Sequence, residues 1–216
     1  MKHVRKGYTP AEKFSDATIH ILGVTWALVG VFALIPLAVF WSGERSVILA
    51  TMVYGLCMLA MLAVSATYHM SPPGEWHELL QKLDHSAIYI KIAGTYTPFA
   101  ILSGAPVWML VMLLWGGACI GILLKMLAPN RFIPLALGLY IAMGWSGVAV
   151  GEFVAALRPE ALYLMLFGGV LYTGGVVFFL WEDLPFHKTI WHALVLLATV
   201  LVYAALVTEL AGARTI

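Results

Sequence analysis

Ionisable side chains recur one helical turn apart at two places in an otherwise apolar chain. Glu12, Asp16 and His20 follow one another at four-residue intervals, and Ser65 precedes His69 by the same interval. Residues four apart lie on one face of an α-helix, so each set would point towards one neighbour. Imidazole, carboxylate and hydroxyl groups on one helix face are the groups from which metal and general-base sites are built.

Two further residues extend this candidate site. Asp84 is predicted to begin a third helix, after a loop short enough to keep that helix beside the one that carries His69. His192 lies about one turn inside the last apolar segment. Several imidazoles with a carboxylate and a hydroxyl in one cavity suit Zn²⁺, which binds neutral imidazole and can keep one position for water.

The composition identifies the kind of element that must position these residues. Hydrophobic residues make up 62% of the 216-residue chain and charged residues only 11%, whereas soluble domains carry about 25% charged residues. This excludes a soluble globular domain and indicates a polytopic membrane protein. The formal net charge of +1 gives no basic surface for nucleic acid.

Seven stretches are long and apolar enough to cross a bilayer as helices, and none shows the alternation of a barrel strand. We therefore predict an all-α, seven-helix bundle with an N-terminal arm over 1–16 and a short outer tail over 211–216. The predicted spans are 17–41, 46–70, 84–103, 106–127, 132–151, 161–181 and 187–210.

Lysine and arginine residues orient this bundle. With the N-terminus in the cytoplasm, eight of them lie on the inner side and three on the outer side, as the positive-inside rule requires. The inner set is Lys2, Arg5, Lys6, Lys13, Lys82, Lys125, Arg131 and Lys188, and the outer set is Arg45, Arg158 and Arg214. All seven histidines then fall on the cytoplasmic half.

Several of these residues also have simpler interpretations. His3 and His77 fit interfacial polar positions, and His85 points about 100° away from Asp84 on a helix. Glu12 and Asp16 could equally form a solvated entry to the first helix. Lys91, two turns after Asp84, is expected to extend towards the cytoplasmic interface; the alternative is a pair with an acidic group in the cavity.

Four strings carry a family resemblance. They are Ser65-Ala-Thr-Tyr-His69, Leu83-Asp-His-Ser-Ala-Ile-Tyr89, Ile92-Ala-Gly-Thr-Tyr-Thr-Pro-Phe99 and Ile190-Trp-His192. With the Glu12–Asp16–His20 spacing, they resemble the hemolysin III family, the bacterial branch of the progestin and adipoQ receptor superfamily. The resemblance implies a seven-helix bundle in the bacterial cytoplasmic membrane, an inner N-terminus and a zinc ion near the cytoplasmic face.

Carried over residue by residue, the resemblance makes His69 and His192 zinc ligands. It also places Asp84 close to the metal-bound water. In the receptor branch a second histidine precedes the last ligand by four residues, but this chain has Lys188 there. His187 is the candidate third ligand if the helix starts late or is distorted; His20 or a water is the alternative.

A further departure is Asp16, where the family usually has Asn. The resemblance extends to the distantly related alkaline ceramidases, which cleave amides. One hypothesis is therefore a zinc-dependent hydrolase of lipid amides or esters, with Asp84 as general base and Ser65 holding the water or the carbonyl oxygen. The alternative is a non-enzymatic protein that permeabilises membranes or senses lipid state, with membrane lipids as partners in either case. The sequence leaves the oligomeric state open.

Overall fold

The computed structural model describes residues 7–72, 74–127 and 133–213, with only the backbone described at Ile133. Within these ranges the secondary structure is helical, so the all-α prediction is confirmed. The helices are α1 (Pro10–Trp41), α2 (Arg45–Met70), α3 (His77–Ser103), α4 (Trp108–Leu127), α5 (Ile133–Trp145), α6 (Gly151–Ala156), α7 (Pro159–Leu180) and α8 (His187–Ala213).

Five of these helices, α1, α2, α4, α7 and α8, are long and apolar enough to cross a membrane. Helix α3 has 27 residues and carries more polar side chains. Helix α5 has 13 residues and is followed by a 3-10 turn over Ser146–Ala149, so it ends before the predicted span over 132–151 does. The chain is thus a membrane protein with several apolar helices, and its count of seven spans stays a prediction.

Parts of the predicted organisation lie outside the described residues. These are 1–6 of the N-terminal arm with His3, the loop over 128–131 with Phe132 at the start of the fifth span, and 214–216 of the outer tail.

Two helices begin well before their predicted spans. Helix α1 starts at Pro10 because Thr9 and Glu12 form a reciprocal capping box: the Thr9 hydroxyl accepts from the Glu12 N–H, and Glu12 accepts from the Thr9 N–H. Helix α3 starts at His77, which places Asp84 almost two turns inside it. The prediction that Asp84 begins the third helix is therefore wrong, because the turn after α2 is shorter than expected.

The helices pack in an order that brings the first and last helices together. Helix α1 packs against α2 and α8, α2 against α3, α3 against α4, and α7 against α8. Helix α3 also contacts α5, α6 and α8, and its Tyr89 and Phe99 are fully buried. The start of α1, the end of α2, the start of α3 and the start of α8 consequently meet at one end of the bundle.

The close approach of α2 and α3 depends on a glycine. A Cβ atom at Gly94 would lie 2.7 Å from the Cys57 sulfur and 2.8 Å from its Cβ. Small residues let helix backbones approach closely in membranes. Gly94 thus sets the distance between the helix that carries His69 and the helix that carries Asp84.

Candidate metal centre

Three imidazoles from three helices meet at this end of the bundle. One ring nitrogen from each of His20 (α1), His69 (α2) and His192 (α8) lies within 4.8 Å of the others. The His20 ring stacks on His69 at 5.1 Å between centroids, and the His192 ring lies 4.4 Å from His20 and 4.5 Å from His69. We refer to these three residues, with Asp16 and Asp84, as the histidine cluster.

Asp16 holds the cluster together from α1. Its Oδ1 lies 2.6 Å from His192 Nδ1, while its Oδ2 lies 3.6 Å from His20 Nε2 and 3.9 Å from His69 Nδ1. A carboxylate can only accept in these contacts, so His192 Nδ1 carries the proton and donates it to Asp16. This leaves the Nε2 lone pair of His192 available for a cation.

The second carboxylate of the cluster comes from α3. Asp84 Oδ2 lies 3.7 Å from His69 Nε2, so His69 stands between the two carboxylates. The hydroxyl of Ser65, one turn before His69, lies beside the Asp84 carboxylate. Asp84 and Ser65 are both buried. Spacing and topology together therefore bring the predicted base and hydroxyl to the same place as the imidazoles.

One imidazole nitrogen of the cluster makes no hydrogen bond to the described residues. His20 is buried, and its Nε2 makes no hydrogen bond in the part of the chain that the structure describes. A small cavity of about 20 Å³ lies against His20, Ser65 and His192, with Met61, Leu62 and Val195 on its apolar side. A space of this size can hold one water molecule or one ion. The imidazole nitrogen without a hydrogen bond and the three-imidazole donor set fit a zinc ion.

Glu12 has a different role from the cluster residues. Besides capping α1, its Oε1 accepts a 2.8 Å hydrogen bond from the N–H of Phe186, just before α8. Phe186 has a φ of +61°, an unusual value for a residue with a side chain. Glu12 is buried at 3% exposure, so it is not a solvated helix entry; it ties the starts of α1 and α8 together.

His187 does not join the other three histidines. Its Nε2 is bonded to the Tyr8 hydroxyl at 2.9 Å, and its Nδ1 lies 3.2 Å from the Phe178 carbonyl oxygen. Both ring nitrogens are therefore used at the junction of α7 and α8. The third imidazole of the cluster is His20, the alternative that the sequence had left open.

Lys188, at the position of the absent histidine, packs on an aromatic ring. Its Nζ lies 4.5 Å from the centroid of the Tyr8 ring. His85, expected to be structural, accepts a hydrogen bond from Tyr140 at its backbone carbonyl. The ring of His77 packs against Tyr68 at the loop between α2 and α3.

Lys91 differs from both of its predicted roles. It is only 5% exposed, so it does not extend to the interface. Its ammonium group donates to the hydroxyl of Tyr172 on α7 and lies 4.3 Å from the centroid of the same ring. Within the described ranges no carboxylate lies within ion-pair distance of it, so the alternative of an acidic partner is also wrong.

Sequence reasoning missed the polar contacts that join α1 to α8 and α7 to α8. The hydroxyl of Ser15, the residue before Asp16, is hydrogen-bonded to the Thr189 hydroxyl at 2.9 Å. The Tyr172 hydroxyl is hydrogen-bonded to the Thr199 hydroxyl at 2.6 Å. Thr199 is an isolated polar residue, and Tyr172 and Thr173 form an isolated polar pair, inside apolar segments. That isolation was an available signal, because buried polar groups in a bilayer need partners.

Comparison with known proteins identifies the family of this chain. The sequence profile of the family described as "Haemolysin-III related" matches residues 10–203. The chain is 36% identical over 194 residues to the "Hemolysin-3 homolog" of Bacillus subtilis (strain 168), covering 88% of this chain and 90% of that protein. It is 39% identical over 190 residues to "Hemolysin-3" of Bacillus cereus, covering 86% and 85%.

A more distant similarity extends to animals. The human "Monocyte to macrophage differentiation factor" is 27% identical over 162 residues, covering 71% of this chain and 67% of that protein. The family match includes every residue of the histidine cluster, and the two bacterial relatives are aligned with 88% and 86% of the chain. The chain is therefore an integral membrane protein that belongs to the haemolysin-III-related family.

Proposed function

We propose that this protein is a zinc-dependent hydrolase of amide or ester bonds in membrane lipids, with His20, His69 and His192 as the zinc ligands. The observation that carries the proposal is the meeting of three imidazole nitrogens within 4.8 Å, beside two carboxylates. Three protein ligands with one open position are typical of catalytic zinc.

The surrounding residues have separable tasks in this proposal. Bound zinc would polarise a carbonyl oxygen and lower the pKa of a water molecule. Asp16 orients His192 through the 2.6 Å contact at Nδ1. Asp84 accepts a proton from the attacking water, and the Ser65 hydroxyl beside it orients that water or the substrate carbonyl.

The position of the cluster supports a lipid substrate. The cavity beside it has an apolar side, formed by Met61, Leu62 and Val195. These residues lie deeper in α2 and α8 than His69 and His192, so an acyl chain would extend from the cluster towards the middle of the bundle. A cavity of about 20 Å³ holds no acyl chain, and substrate entry therefore requires the helices to separate there.

We further propose that the chain crosses the bacterial cytoplasmic membrane seven times with its N-terminus inside. Helix α3 and the segment from α5 to α6 would supply the two crossings beyond the five long apolar helices. The inner excess of lysine and arginine supports this orientation. The histidine cluster would then face the cytoplasmic leaflet.

Metal analysis of detergent-purified protein tests the zinc site. We expect about one zinc per wild-type chain, and less than a tenth of that in His69→Ala and His20→Ala. His187→Ala is the matched control: it removes a buried imidazole close in sequence to His192 but outside the cluster, and it should keep its zinc. Equal zinc loss in the His20 and His187 variants, or no zinc in the wild type, would contradict the ligand assignment.

Turnover is tested separately, with ceramide-like and ester lipids in mixed micelles and fatty acid release as the signal. We expect release by the wild type, loss with a chelator and recovery on adding zinc. Asp84→Asn should retain zinc and lose activity. Zinc without turnover would favour the second candidate, a non-enzymatic lipid-sensing protein, which the small size of the cavity supports.

A permeabilising role is the remaining alternative. The names of the two Bacillus relatives suggest it. A wide aqueous pore would need a polar surface along the whole bundle, whereas the buried residues of α1 beyond His20 are glycine, alanine and leucine. Release of a small dye from vesicles carrying the protein would support this alternative over the hydrolase.

A further inference from the structure

A second buried polar group lies two helical turns deeper than the histidine cluster. Lys91 follows Asp84 by seven residues on α3, and Thr199 follows His192 by seven residues on α8. Seven residues advance an α-helix by about 10 Å and return to nearly the same face. The two sets of side chains are therefore stacked along the bundle. We call Lys91, Tyr172, Thr199 and Tyr54 the lysine network.

The hydrogen bonds of this network all run in one direction. The Thr199 hydroxyl donates to the Val195 carbonyl at 2.8 Å, so it accepts from the Tyr172 hydroxyl at 2.6 Å. The Tyr172 hydroxyl uses its proton in the hydrogen bond to Thr199, so its oxygen accepts the hydrogen bond from Lys91. The ammonium group is thus bound to a neutral oxygen and a ring face, and nothing in this chain of bonds carries a negative charge.

Tyr54 adds a hydrogen-bond donor to this region. It is 1% exposed, and its hydroxyl has no hydrogen-bond partner among the described residues. Gly94, three residues after Lys91, lies against Cys57 and the Val53 carbonyl oxygen on α2, so Tyr54 and Lys91 come from the same stretch of the contact between α2 and α3. A buried hydroxyl without a partner destabilises the folded protein. A buried cation without a counter-charge is more costly still, especially where lipid surrounds the bundle.

We propose that the lysine network binds a monovalent anionic group between Lys91 and Tyr54. Such a group supplies the negative charge and the acceptor oxygen or halide that both side chains lack. Because the network offers a single cation, and both residues are at least 95% buried, the group is small and singly charged. An inorganic ion such as chloride and the carboxylate of an acyl chain share this chemistry.

Thermal unfolding of purified protein in detergent tests the site. In the first arm chloride replaces gluconate at constant ionic strength; in the second, dodecanoate is compared with dodecanol in chloride-free buffer. We expect the wild-type midpoint to rise saturably in one arm, and that arm identifies the source of the anion. The same midpoint change in Lys91→Met as in the wild type, or no saturable change in the wild type, overturns the proposal.

Two further variants make the result specific. Tyr54→Phe removes only the unpartnered hydroxyl and should require about tenfold more anion for the same shift; it also serves if Lys91→Met fails to fold. Lys82→Met removes one cation that is paired with Glu78 on the outside of α3, and it should respond as the wild type does. An altered response in Lys82→Met, or an unchanged one in Tyr54→Phe, would assign the effect to general charge screening.

The proposal is independent of the zinc site. Lys91→Met leaves the histidine cluster intact, so its zinc content should equal that of the wild type. An anion response with no zinc in any variant would leave the lysine network standing and remove only the proposed hydrolase.

Discussion

The histidine cluster and the lysine network are both groups of buried polar side chains, and they differ in the sign of the charged groups that the chain supplies. Both are buried, and both draw on α2, α3 and α8. In the first, two carboxylates lie within 4 Å of imidazole nitrogens. In the second, a lysine is surrounded by hydroxyl groups and a ring face. The first site is therefore complementary to a cation and the second to an anion.

This difference matters because a membrane interior solvates an unbalanced charge poorly. The cost of burying a charge is recovered only when an opposite charge or a full set of hydrogen bonds is present. At the histidine cluster the chain supplies the negative groups itself. At the lysine network the balancing charge has to come from a ligand.

Asp16 offers the largest expected effect that would separate the two regions. Asp16→Ala removes the acceptor for His192 Nδ1, and loss of a carboxylate that orients a metal-binding histidine typically lowers metal affinity 10–100-fold. Asp16→Asn should lose less, because an amide oxygen can still accept that proton. Zinc dissociation constants measured by competition with a chelator check both values.

Ser15→Ala is the control for Asp16. It removes the neighbouring contact between α1 and α8, which does not touch an imidazole, and zinc affinity should change by less than threefold. The anion response of Lys91 should be unaltered in every one of these variants. Loss of that response in Asp16→Ala would mean that the two regions act as one site.

The contrast between the regions also explains what the sequence could predict. Much of the histidine cluster could be predicted because Asp16 precedes His20, and Ser65 precedes His69, by four residues. Helix periodicity converts such spacing directly into a shared face. The third imidazole could not be chosen between His20 and His187, because that choice depends on how α1 packs against α8.

The lysine network could not be derived in the same way. Each of its members comes from a different helix, α2, α3, α7 or α8, so no spacing along the sequence relates them. The partner of Lys91 was missed because it is a tyrosine 81 residues away, and only the packing of α7 brings it near. The early starts of α1 and α3 were missed since capping by Thr9 and a tight turn before His77 override the boundaries of the apolar segments.

Gly94 tests whether the two regions share a framework. Gly94→Ala would force the Cys57 side chain and the α2 backbone away, since the added Cβ would lie 2.7 Å from the sulfur. Overpacking of this kind costs about 1–3 kcal/mol of unfolding free energy. Both zinc affinity and the anion response should fall, because α2 and α3 contribute to both sites. Unfolding by denaturant in mixed micelles measures the change in the free energy of unfolding.

Gly116→Ala provides the matched control on α4. A Cβ atom there meets nothing within 4 Å, and alanine is the better helix former by about 0.5–1 kcal/mol. Stability should therefore rise slightly or stay unchanged, with both ligand responses intact. A fall equal to that of Gly94→Ala would show that these helices do not tolerate alanine for reasons other than the contact with Cys57.

The smallest effect is expected at the start of α1, which carries Asp16 and His20 into the cluster. Thr9→Ala removes the hydroxyl that accepts the Glu12 N–H, and loss of an N-cap residue typically costs about 1 kcal/mol. Thr18→Ala is the control, because its exposed hydroxyl only returns a hydrogen bond to the Phe14 carbonyl of the same helix. Zinc affinity should fall only slightly in Thr9→Ala, since the Phe186 N–H still binds Glu12 and keeps α1 against α8. A loss of zinc as large as that in Asp16→Ala would instead mean that the helix start, more than the Asp16–His192 contact, holds the imidazoles in place.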